Sequence, residues 1–235
     1  MMKVAVVRFP GSNCELETCR AIERAGGSAQ YAWYRDTTLD GADAVILPGG
    51  FSYGDYLRSG AIARFSPIMD PIRRHADAGG PVLGICNGFQ ILAEAGLLPG
   101  ALVRNAELKY LSRPVDVTVE RTDTPFTSAY RAGELIRIPI GHGDGRFVAP
   151  DQVLDELEAQ GQIVLRYARP AASDVPANPN GSQRDIAGVC NPAGNVVGMM
   201  PHPERLADSA LGSDAGHRVF VSLVSSGVAA GSNHV

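Results

Sequence analysis

Short apolar runs alternate with amphipathic stretches in the first part of the chain. This pattern predicts, in order, a strand, a helix, two strands, a helix, a strand and a helix. These elements lie near Lys3–Phe9, Asn13–Ala25, Ala29–Tyr34 and Ala44–Leu47, within Ala61–Ala78, and at Val82–Ile85 and Gly88–Ala95. Because strands that alternate with helices form parallel sheets covered on both faces, we expect an α/β fold with a mostly parallel central sheet and helices on both faces.

After Leu102 the pattern becomes rich in strands. It predicts strands at Val115–Val119, Leu135–Ile140 and Ile163–Tyr167, a helix at Asp151–Ala159, a loop over Arg169–Asp185, a hairpin turning at Asn191–Asn195 and a closing helix at Asp214–Ser225. No long linker divides the sequence. We therefore predict one domain over residues 1–227 and a disordered tail over residues 228–235.

Composition and charge argue against several classes of function. The chain has 235 residues, of which 45% are hydrophobic, and a net charge of −4. These values are typical of a globular protein without a general nucleic-acid surface. No apolar stretch is long enough to span a bilayer, and Met1–Val4 leads directly into a strand without a signal-peptide core. We expect a cytoplasmic protein that binds neither nucleic acid nor a membrane.

The four cysteines differ in their surroundings. They are Cys14, Cys19, Cys86 and Cys190. They show no Cys-x-x-Cys spacing and have no paired histidines nearby, so the sequence predicts neither a metal site nor a disulfide framework. Three of them are expected to be ordinary thiols, whereas Cys86 lies in an unusual setting.

Cys86 stands in a predicted strand-to-helix turn, two residues away from Gly84 on one side and from Gly88 on the other. This is the spacing of a nucleophile elbow, in which a strained turn presents a nucleophilic side chain and small neighbours avoid a collision. The N-terminus of the following helix favours the thiolate form of such a cysteine. The motif alone also fits a packed, inert thiol, so a base and an acid are needed elsewhere in the chain.

A candidate base and acid occur near the other end of the chain, in Met200–Glu204. His202 and Glu204 lie two residues apart between prolines, and an extended backbone would place both side chains on one face, just beyond the predicted strand Val196–Met200. One imidazole nitrogen would then face the thiol and the other the carboxylate, as in a catalytic triad. The alternative is a solvated loop histidine.

A glycine-rich segment, Gly49–Gly60, follows the buried strand Ala44–Leu47. In a parallel sheet this segment reaches the same edge as Cys86. The backbone N–H groups of Gly50 and Asn87 are therefore candidates for an oxyanion hole. A phosphate-binding loop is disfavoured because the segment lacks the Gly-Lys-Ser/Thr ending.

Together these motifs resemble the class I (triad) glutamine amidotransferases, which have a flavodoxin-like fold. Within that class, the chain is similar to the glutaminase subunits of purine biosynthesis. The resemblance covers essentially the whole length and is carried by Arg8–Cys14, Pro48–Arg58, Gly84–Gln90, Ile138–Phe147 and Met200–Arg205. Asn87 replaces the leucine of many other amidotransferases but matches this subfamily.

The resemblance implies that Cys86 attacks the side-chain amide of glutamine, giving a γ-glutamyl thioester and ammonia. His202 would protonate the departing ammonia and then activate water, with Glu204 orienting the imidazole. Gln90 would help to hold glutamine, although a helix-face amide without a ligand is the alternative. His142 is interpreted as a positioning or partner-contact residue, and a purely structural role fits it equally well.

The resemblance also implies partner proteins. Ammonia would pass through a tunnel to a large synthetase subunit, which uses ATP and Mg to convert formylglycinamide ribonucleotide to formylglycinamidine ribonucleotide. A small bridging subunit completes such complexes in many bacteria. This chain has no nucleotide-binding motif of its own, so we expect glutamine as its substrate and no cofactor within it.

Two alternatives to an amidotransferase stay open from the sequence. A free-standing cysteine hydrolase of the DJ-1/PfpI type shares the flavodoxin-like sheet and the cysteine elbow, but such enzymes take their histidine from directly beside the cysteine, where this chain has Asn87. A non-catalytic docking or regulatory subunit would keep the fold without the chemistry, but all three triad positions are intact. Release of ammonia from glutamine would distinguish these alternatives.

Overall fold

The computed structural model describes residues 1–169 and 177–231. Its strands are β1 Lys3–Arg8, β2 Ser28–Trp33, β3 Ala44–Leu47, β4 Val82–Ile85, β5 Ala101–Val103, β6 Leu111–Val119, β7 Leu135–His142, β8 Arg146–Val148, β9 Ile163–Ala168, β10 Ile186–Cys190 and β11 Val196–Met199. Its α-helices are α1 Glu15–Arg24, α2 Met69–Asp77, α3 Asn87–Glu94, α4 Asp151–Ala159 and α5 His217–Gly231. The predicted alternation of strands and helices in the first part of the chain is confirmed.

Nine strands form one sheet in the order β2-β1-β3-β4-β11-β10-β9-β6-β7. The first five strands of this order are parallel to one another. The remaining neighbours pair antiparallel, from β11 and β10 through to β6 and β7. The expected α/β fold is confirmed. Strands β6, β7, β9, β10 and β11 of the second part belong to this sheet, whereas β5 and β8 pair antiparallel in a separate two-stranded sheet.

The core lies around the middle of this sheet. Every residue of β3, β4, β10 and β11 is buried, as expected for strands that are covered on both faces. The connections from β1 to β2 and from β3 to β4 run toward opposite edges, so right-handed crossovers place α1 and α2 on opposite faces. The closing helix α5 packs against α1.

Some predicted boundaries differ from the structure. The helix expected within Ala61–Ala78 is confined to α2, after a short 3₁₀ turn at Ala63–Phe65. Helix α5 continues through Gly231, so residues 228–231 extend a helix instead of beginning the predicted tail. Residues 232–235, and residues 170–176 of the predicted loop, lie outside the described ranges. Among the helices that the structure describes, none combines the length and apolar character needed to cross a membrane.

The turn at Cys86 depends on two close backbone contacts. Strand β4 ends at Ile85 and helix α3 begins at Asn87, which leaves Cys86 between them with φ of 50° and ψ of −103°. A side chain on Gly88 would collide with the Leu47 carbonyl oxygen of the neighbouring strand. A β-carbon on Gly84 would lie 2.6 Å from the carbonyl carbon of Gly88. The predicted requirement for glycine on both sides of the cysteine is confirmed.

Replacing Gly88 should therefore destabilise the whole domain. We expect Gly88→Ala to lower the free energy of unfolding by about 3 kcal/mol, because the contact with the Leu47 carbonyl involves rigid backbone on both sides. Urea unfolding measures the change. Gly143→Ala is the matched control, since a β-carbon there meets nothing closer than a Tyr110 atom at 3.8 Å. Equal unfolding midpoints for the two variants would contradict this account of the turn.

Candidate active site

Two neighbouring strand ends bring the candidate triad together. Strands β4 and β11 are parallel, with Ile85 opposite Met199, so both end at the same edge of the sheet. The N–H of Cys86 donates a 2.8 Å hydrogen bond to the carbonyl oxygen of Met199. Three residues beyond Met199, the N–H of His202 donates to the Pro139 carbonyl oxygen of β7, also at 2.8 Å. The backbone of both residues is therefore held by the sheet.

His202 and Glu204 form a buried pair. The Nδ1 atom of His202 lies 2.6 Å from Oε1 of Glu204, and both side chains are almost completely buried. The expected contact is confirmed, but the expected extended backbone is wrong. Pro203 begins a 3₁₀ turn that runs through Leu206, and this turn brings the carboxylate back toward the imidazole. A proline suits the first position of such a turn because it lacks an N–H that would need a partner.

The surroundings of His202 favour its protonated form. Burial lowers the pKa of this histidine, but the negative charge of Glu204 and the nearby sulfur of Cys86 raise it, and the pKa stands well above its ordinary value. The ring also packs against the glycine-rich loop, where a β-carbon on Gly49 would lie 2.6 Å from its Cε1 atom. Glu204 can therefore both orient the imidazole and stabilise an imidazolium.

The sulfur of Cys86 is buried beside the end of β7. Only 4% of the residue is exposed, and its thiol lies 3.6 Å from the carbonyl oxygen of Gly141. The Nε2 atom of His202 has no hydrogen-bond partner within the described ranges. Hydrogen bonds of catalytic groups are often long before substrate binds, so this arrangement is compatible with proton transfer between the two residues.

The candidate oxyanion donors lie beside Cys86. Within the part of the chain that the structure describes, the backbone N–H groups of Gly50 and Asn87 donate no hydrogen bond. The conformation of Gly50 is fixed by its neighbours, because the N–H of Phe51 donates to the Gly11 carbonyl oxygen at 2.9 Å. Two backbone donors without another acceptor are what an oxyanion hole requires. The assignment of these two residues stays a prediction.

A cavity of about 100 Å³ adjoins the sulfur. It is lined by Gly50, Phe51, Asp55, Ser59, Cys86, Gln90, Tyr110 and Gly141–Asp144. The side chain of Gln90 is already engaged there, because its Nε2 donates to the Asp144 carbonyl oxygen at 2.6 Å and its Oε1 accepts from Asn87 at 2.9 Å. Gln90 thus shapes the cavity, and its direct contact with a substrate stays a prediction.

Cys14 also lies in this site, which the sequence did not lead us to expect. Its sulfur and the nearest donor atoms of His202 and Glu204 all lie within 4.8 Å of one another. The guanidinium of Arg205 donates to the Cys14 sulfur at 3.2 Å. Sulfur, imidazole and carboxylate are donor types that metal ions use, although cysteine spacing predicted no metal site. The position of Cys14 just after β1 was the available signal, since β1 ends at the same edge of the sheet.

Three further polar residues line the cavity: Asp55, Asp144 and His142. The two carboxylates were missed, although each stands next to glycine in a segment that follows or ends a strand. His142 was singled out but its role was left open. It is 2% exposed, and burial together with the charge of His202 lowers its pKa to about 4. The ring is therefore neutral near pH 7.

The comparisons with known proteins agree with this architecture. A mixed central sheet with a cysteine elbow beside a buried His–Glu pair is typical of class I glutamine amidotransferases. Residues 1–218 match the CobB/CobQ-like glutamine amidotransferase domain, and the chain belongs to this family. It is 54% identical to phosphoribosylformylglycinamidine synthase subunit PurQ of Gloeobacter violaceus over 230 residues, which cover 97% of this chain and 99% of that protein.

Further relatives have the same name or come from the corresponding complex. The PurQ subunit of Thermus thermophilus is 52% identical over 223 residues, which cover 95% of this chain and 98% of that protein. A chain in the structure of PurLQS from Thermotoga maritima is 46% identical, with a TM-score of 0.85 over 96% of this chain and 98% of that one. The amidotransferase family expected from the motifs is confirmed, and neither the hydrolase nor the docking alternative is favoured.

The carboxylate of Glu204 should control the protonation of His202. In Glu204→Gln we expect the pKa of His202 to fall, because the charge that stabilises the imidazolium is removed while the shape is kept. Glutamine turnover should fall by about two orders of magnitude or more, as in related triads. Titration of the His202 ring signals by NMR measures the first effect and glutamate release the second.

Glu17→Gln is the matched control for Glu204→Gln. The Glu17 carboxylate pairs with Arg205 at 3.3 Å, so this variant also removes a charge close to the site without touching the imidazole. We expect its His202 titration to match that of the wild type. An unchanged His202 pKa in Glu204→Gln would exclude Glu204 from the triad.

Proposed function

We propose that this chain is the glutaminase subunit of phosphoribosylformylglycinamidine synthase. It hydrolyses glutamine to glutamate and ammonia and delivers the ammonia to a synthetase subunit, which converts formylglycinamide ribonucleotide to formylglycinamidine ribonucleotide with ATP. One observation carries the proposal: an identity of 54% to a subunit of that name extends over 97% of the chain. The buried pair of His202 and Glu204 beside Cys86 supplies the chemistry that this function needs.

In the proposed reaction, Cys86 is the nucleophile. Its proton is held by His202 as an imidazolium, its sulfur attacks the side-chain amide carbon of glutamine, and the N–H groups of Gly50 and Asn87 stabilise the negative oxygen that forms. His202 then passes the proton to the departing nitrogen, which leaves as ammonia. A water molecule attacks the γ-glutamyl thioester, His202 moves its proton to the sulfur, and glutamate is released.

The proposal includes partners and a location. A large synthetase subunit and a small bridging subunit complete the enzyme, and ATP and Mg are used by the synthetase, with no cofactor in this chain. The Thermotoga maritima relative belongs to a structure described as PurLQS, which supports such an assembly. We place the protein in the cytoplasm, with no role for nucleic acid or membrane.

Two exposed aromatic side chains line the cavity, and further exposed apolar residues lie near them in the sequence. Phe51 and Tyr110 line the cavity while remaining 42% and 54% exposed, and Tyr56, Leu57 and Leu108 are 75%, 89% and 72% exposed nearby in the chain. Exposed apolar groups around a site favour contact with another protein. We infer that the synthetase covers the mouth of the cavity, because ammonia formed at Cys86 must reach a second site without escaping into water.

The glycine-rich loop Gly49–Gly60 connects these exposed residues to the site. Its start is tied down, since the N–H of Ser52 donates to Oδ1 of Asn87 at 3.0 Å. Farther along, Tyr53, Asp55 and Leu57 have φ values of 53°, 54° and 71°, which are strained for residues other than glycine. The strained segment after Ser52 is therefore the candidate for a switch that responds to the partner.

Cys86 should be essential for the use of glutamine but not of ammonia. We expect Cys86→Ser to abolish glutamine-dependent synthesis by the assembled enzyme, whereas synthesis from ammonium chloride persists because the synthetase performs that step. Product formation with each nitrogen source measures both activities. Cys190→Ser is the control, because Cys190 is buried in β10 away from the cavity. Loss of both activities in a folded, assembled Cys86→Ser enzyme would refute this division of labour.

The isolated subunit should be a slow glutaminase. Partner contact with the strained loop is expected to set the position of Asn87 and the oxyanion donors, and one such donor is worth about 100- to 1,000-fold in rate in other enzymes. Adding the synthetase with its nucleotide and ribonucleotide ligands should raise glutamate release by a comparable factor. Equal rates with and without the partners would show that the site is permanently active.

A further inference from the structure

The wall of the cavity contains two carboxylates without a close cationic partner. Within the described residues Asp55 forms no ion pair, and the only one made by Asp144 is to Arg104 at 3.9 Å, whose side chain is 77% exposed. Instead, Asp55 accepts from the side-chain amide of Asn87 at 3.3 Å, and Asp144 accepts from the Ser59 hydroxyl at 3.0 Å. Both carboxylates line the same small space beside Cys86.

These carboxylates repel each other. Burial raises the pKa of Asp55 to about 6, and the negative charge of Asp144 contributes to the same shift. Two like charges that share a partly buried space are relieved by a bound cation more than by any neutral group. The electrostatics of the wall therefore match a positively charged ligand group.

His142 adds a third acceptor, because its tautomer is fixed by Asn105. The Nδ2 of Asn105 donates to the carbonyl oxygens of Lys109 and His142, at 2.8 and 2.9 Å, so its Oδ1 must be an acceptor. That oxygen accepts the Gly145 N–H at 3.1 Å and lies 3.1 Å from Nδ1 of His142, which must therefore carry the hydrogen.

The other ring nitrogen of His142 is then a bare acceptor. Its Nε2 is buried and has no hydrogen-bond partner within the ranges that the structure describes. A buried acceptor without a partner is unfavourable unless a ligand supplies a donor. One part of the cavity wall thus contains three hydrogen-bond acceptors, namely two carboxylates and this nitrogen. Such a wall would bind a positively charged group that carries several N–H donors.

We propose that Asp55, Asp144 and Nε2 of His142 form the subsite for the α-ammonium group of the substrate, and that they make the site selective for an amino acid amide over a simple amide. The inference rests on the proposed function, since it takes glutamine to be the substrate. Glutamine carries its ammonium group on the same short chain that ends in the amide. A cavity lined by both Cys86 and these acceptors can hold both ends.

A binding measurement tests recognition of the α-ammonium group separately from the hydrolysis of glutamine. The probes are L-glutamine and 4-carbamoylbutanoate, which is glutamine without its α-amino group, titrated calorimetrically into the assembled complex carrying Cys86→Ala. We expect glutamine to bind about 10- to 100-fold more tightly, as the loss of charge-assisted hydrogen bonds predicts. Adding Asp55→Asn or Asp144→Asn should weaken glutamine about 10-fold or more and leave the deaminated analogue unchanged or tighter.

Two control variants test whether the effect is specific to the charge of Asp55 and Asp144. Asp77→Asn removes a surface carboxylate at the end of α2 and should change neither affinity, whereas Asp144→Glu keeps the charge and should retain most of the preference for glutamine. Circular dichroism of each variant and its co-elution with the synthetase on gel filtration confirm that it is folded and assembled. Equal weakening of both probes by Asp55→Asn and Asp144→Asn, or no weakening of glutamine, would overturn the proposed subsite.

A failure of the ammonium subsite can be distinguished from a failure of the proposed function. If the wild-type complex releases no glutamate from glutamine, the proposed function itself fails. If it does release glutamate but the carboxylate variants bind glutamine and its deaminated analogue in the wild-type ratio, only the ammonium subsite fails.

Discussion

The contact between the start of helix α3 and the ends of strands β3 and β4 is the constraint on which the site depends. Gly88 packs against the Leu47 carbonyl so closely that no side chain fits between them. To enter the helix at that distance, the chain must turn at Cys86 with a φ of 50°, a strain of about 1–3 kcal/mol. Hydrogen bonds from the Cys86 N–H to Met199 and from the Gln90 N–H to Cys86 hold the turn in place.

This turn determines what surrounds the sulfur. It leaves the backbone N–H of Asn87 free, and it directs the Asn87 side chain toward the glycine-rich loop, where its amide oxygen accepts from Ser52 and its nitrogen donates to Asp55 and Gln90. One buried amide thus connects the elbow, the glycine-rich loop and the wall of the cavity. A displacement of the loop would reach all three through Asn87, and this is the route that the proposed control by a partner would use.

Local features of the sequence were sufficient for much of the fold. The spacing of apolar residues predicted strands β1 to β4 close to their observed positions. Helix α4 was predicted with its observed boundaries at Asp151 and Ala159. The glycines around Cys86 identified the elbow because a steric requirement acts over a few residues. The joining of β6, β7 and β9 to the first sheet could not be predicted in this way, since it depends on pairing between strands far apart in sequence.

In the site, too, residues close in sequence could be predicted, and contacts between distant segments could not. His202 and Glu204 were found because they are neighbours in sequence, although the 3₁₀ turn at Pro203 was not foreseen. Cys14 was missed because its proximity to His202 arises only when the ends of β1 and β11 reach the same edge of the sheet. Asp55 and Asp144 were missed for a similar reason. They lie in two loops far apart in sequence, and only the folded chain brings both carboxylates to one cavity.

The charges around the cavity are arranged so that His142 must stay neutral. Glu204 and Cys86 favour a positive charge on His202, while Asp55 and Asp144 carry the negative charge of the opposing wall. A protonated His142 would repel His202 and would itself neutralise the carboxylates, leaving no unmet charge for a ligand. Burial and the charge of His202 lower the pKa of His142 to about 4, and Asn105 holds the hydrogen on Nδ1. The neutral ring therefore preserves both the imidazolium beside the sulfur and the acceptor wall facing it.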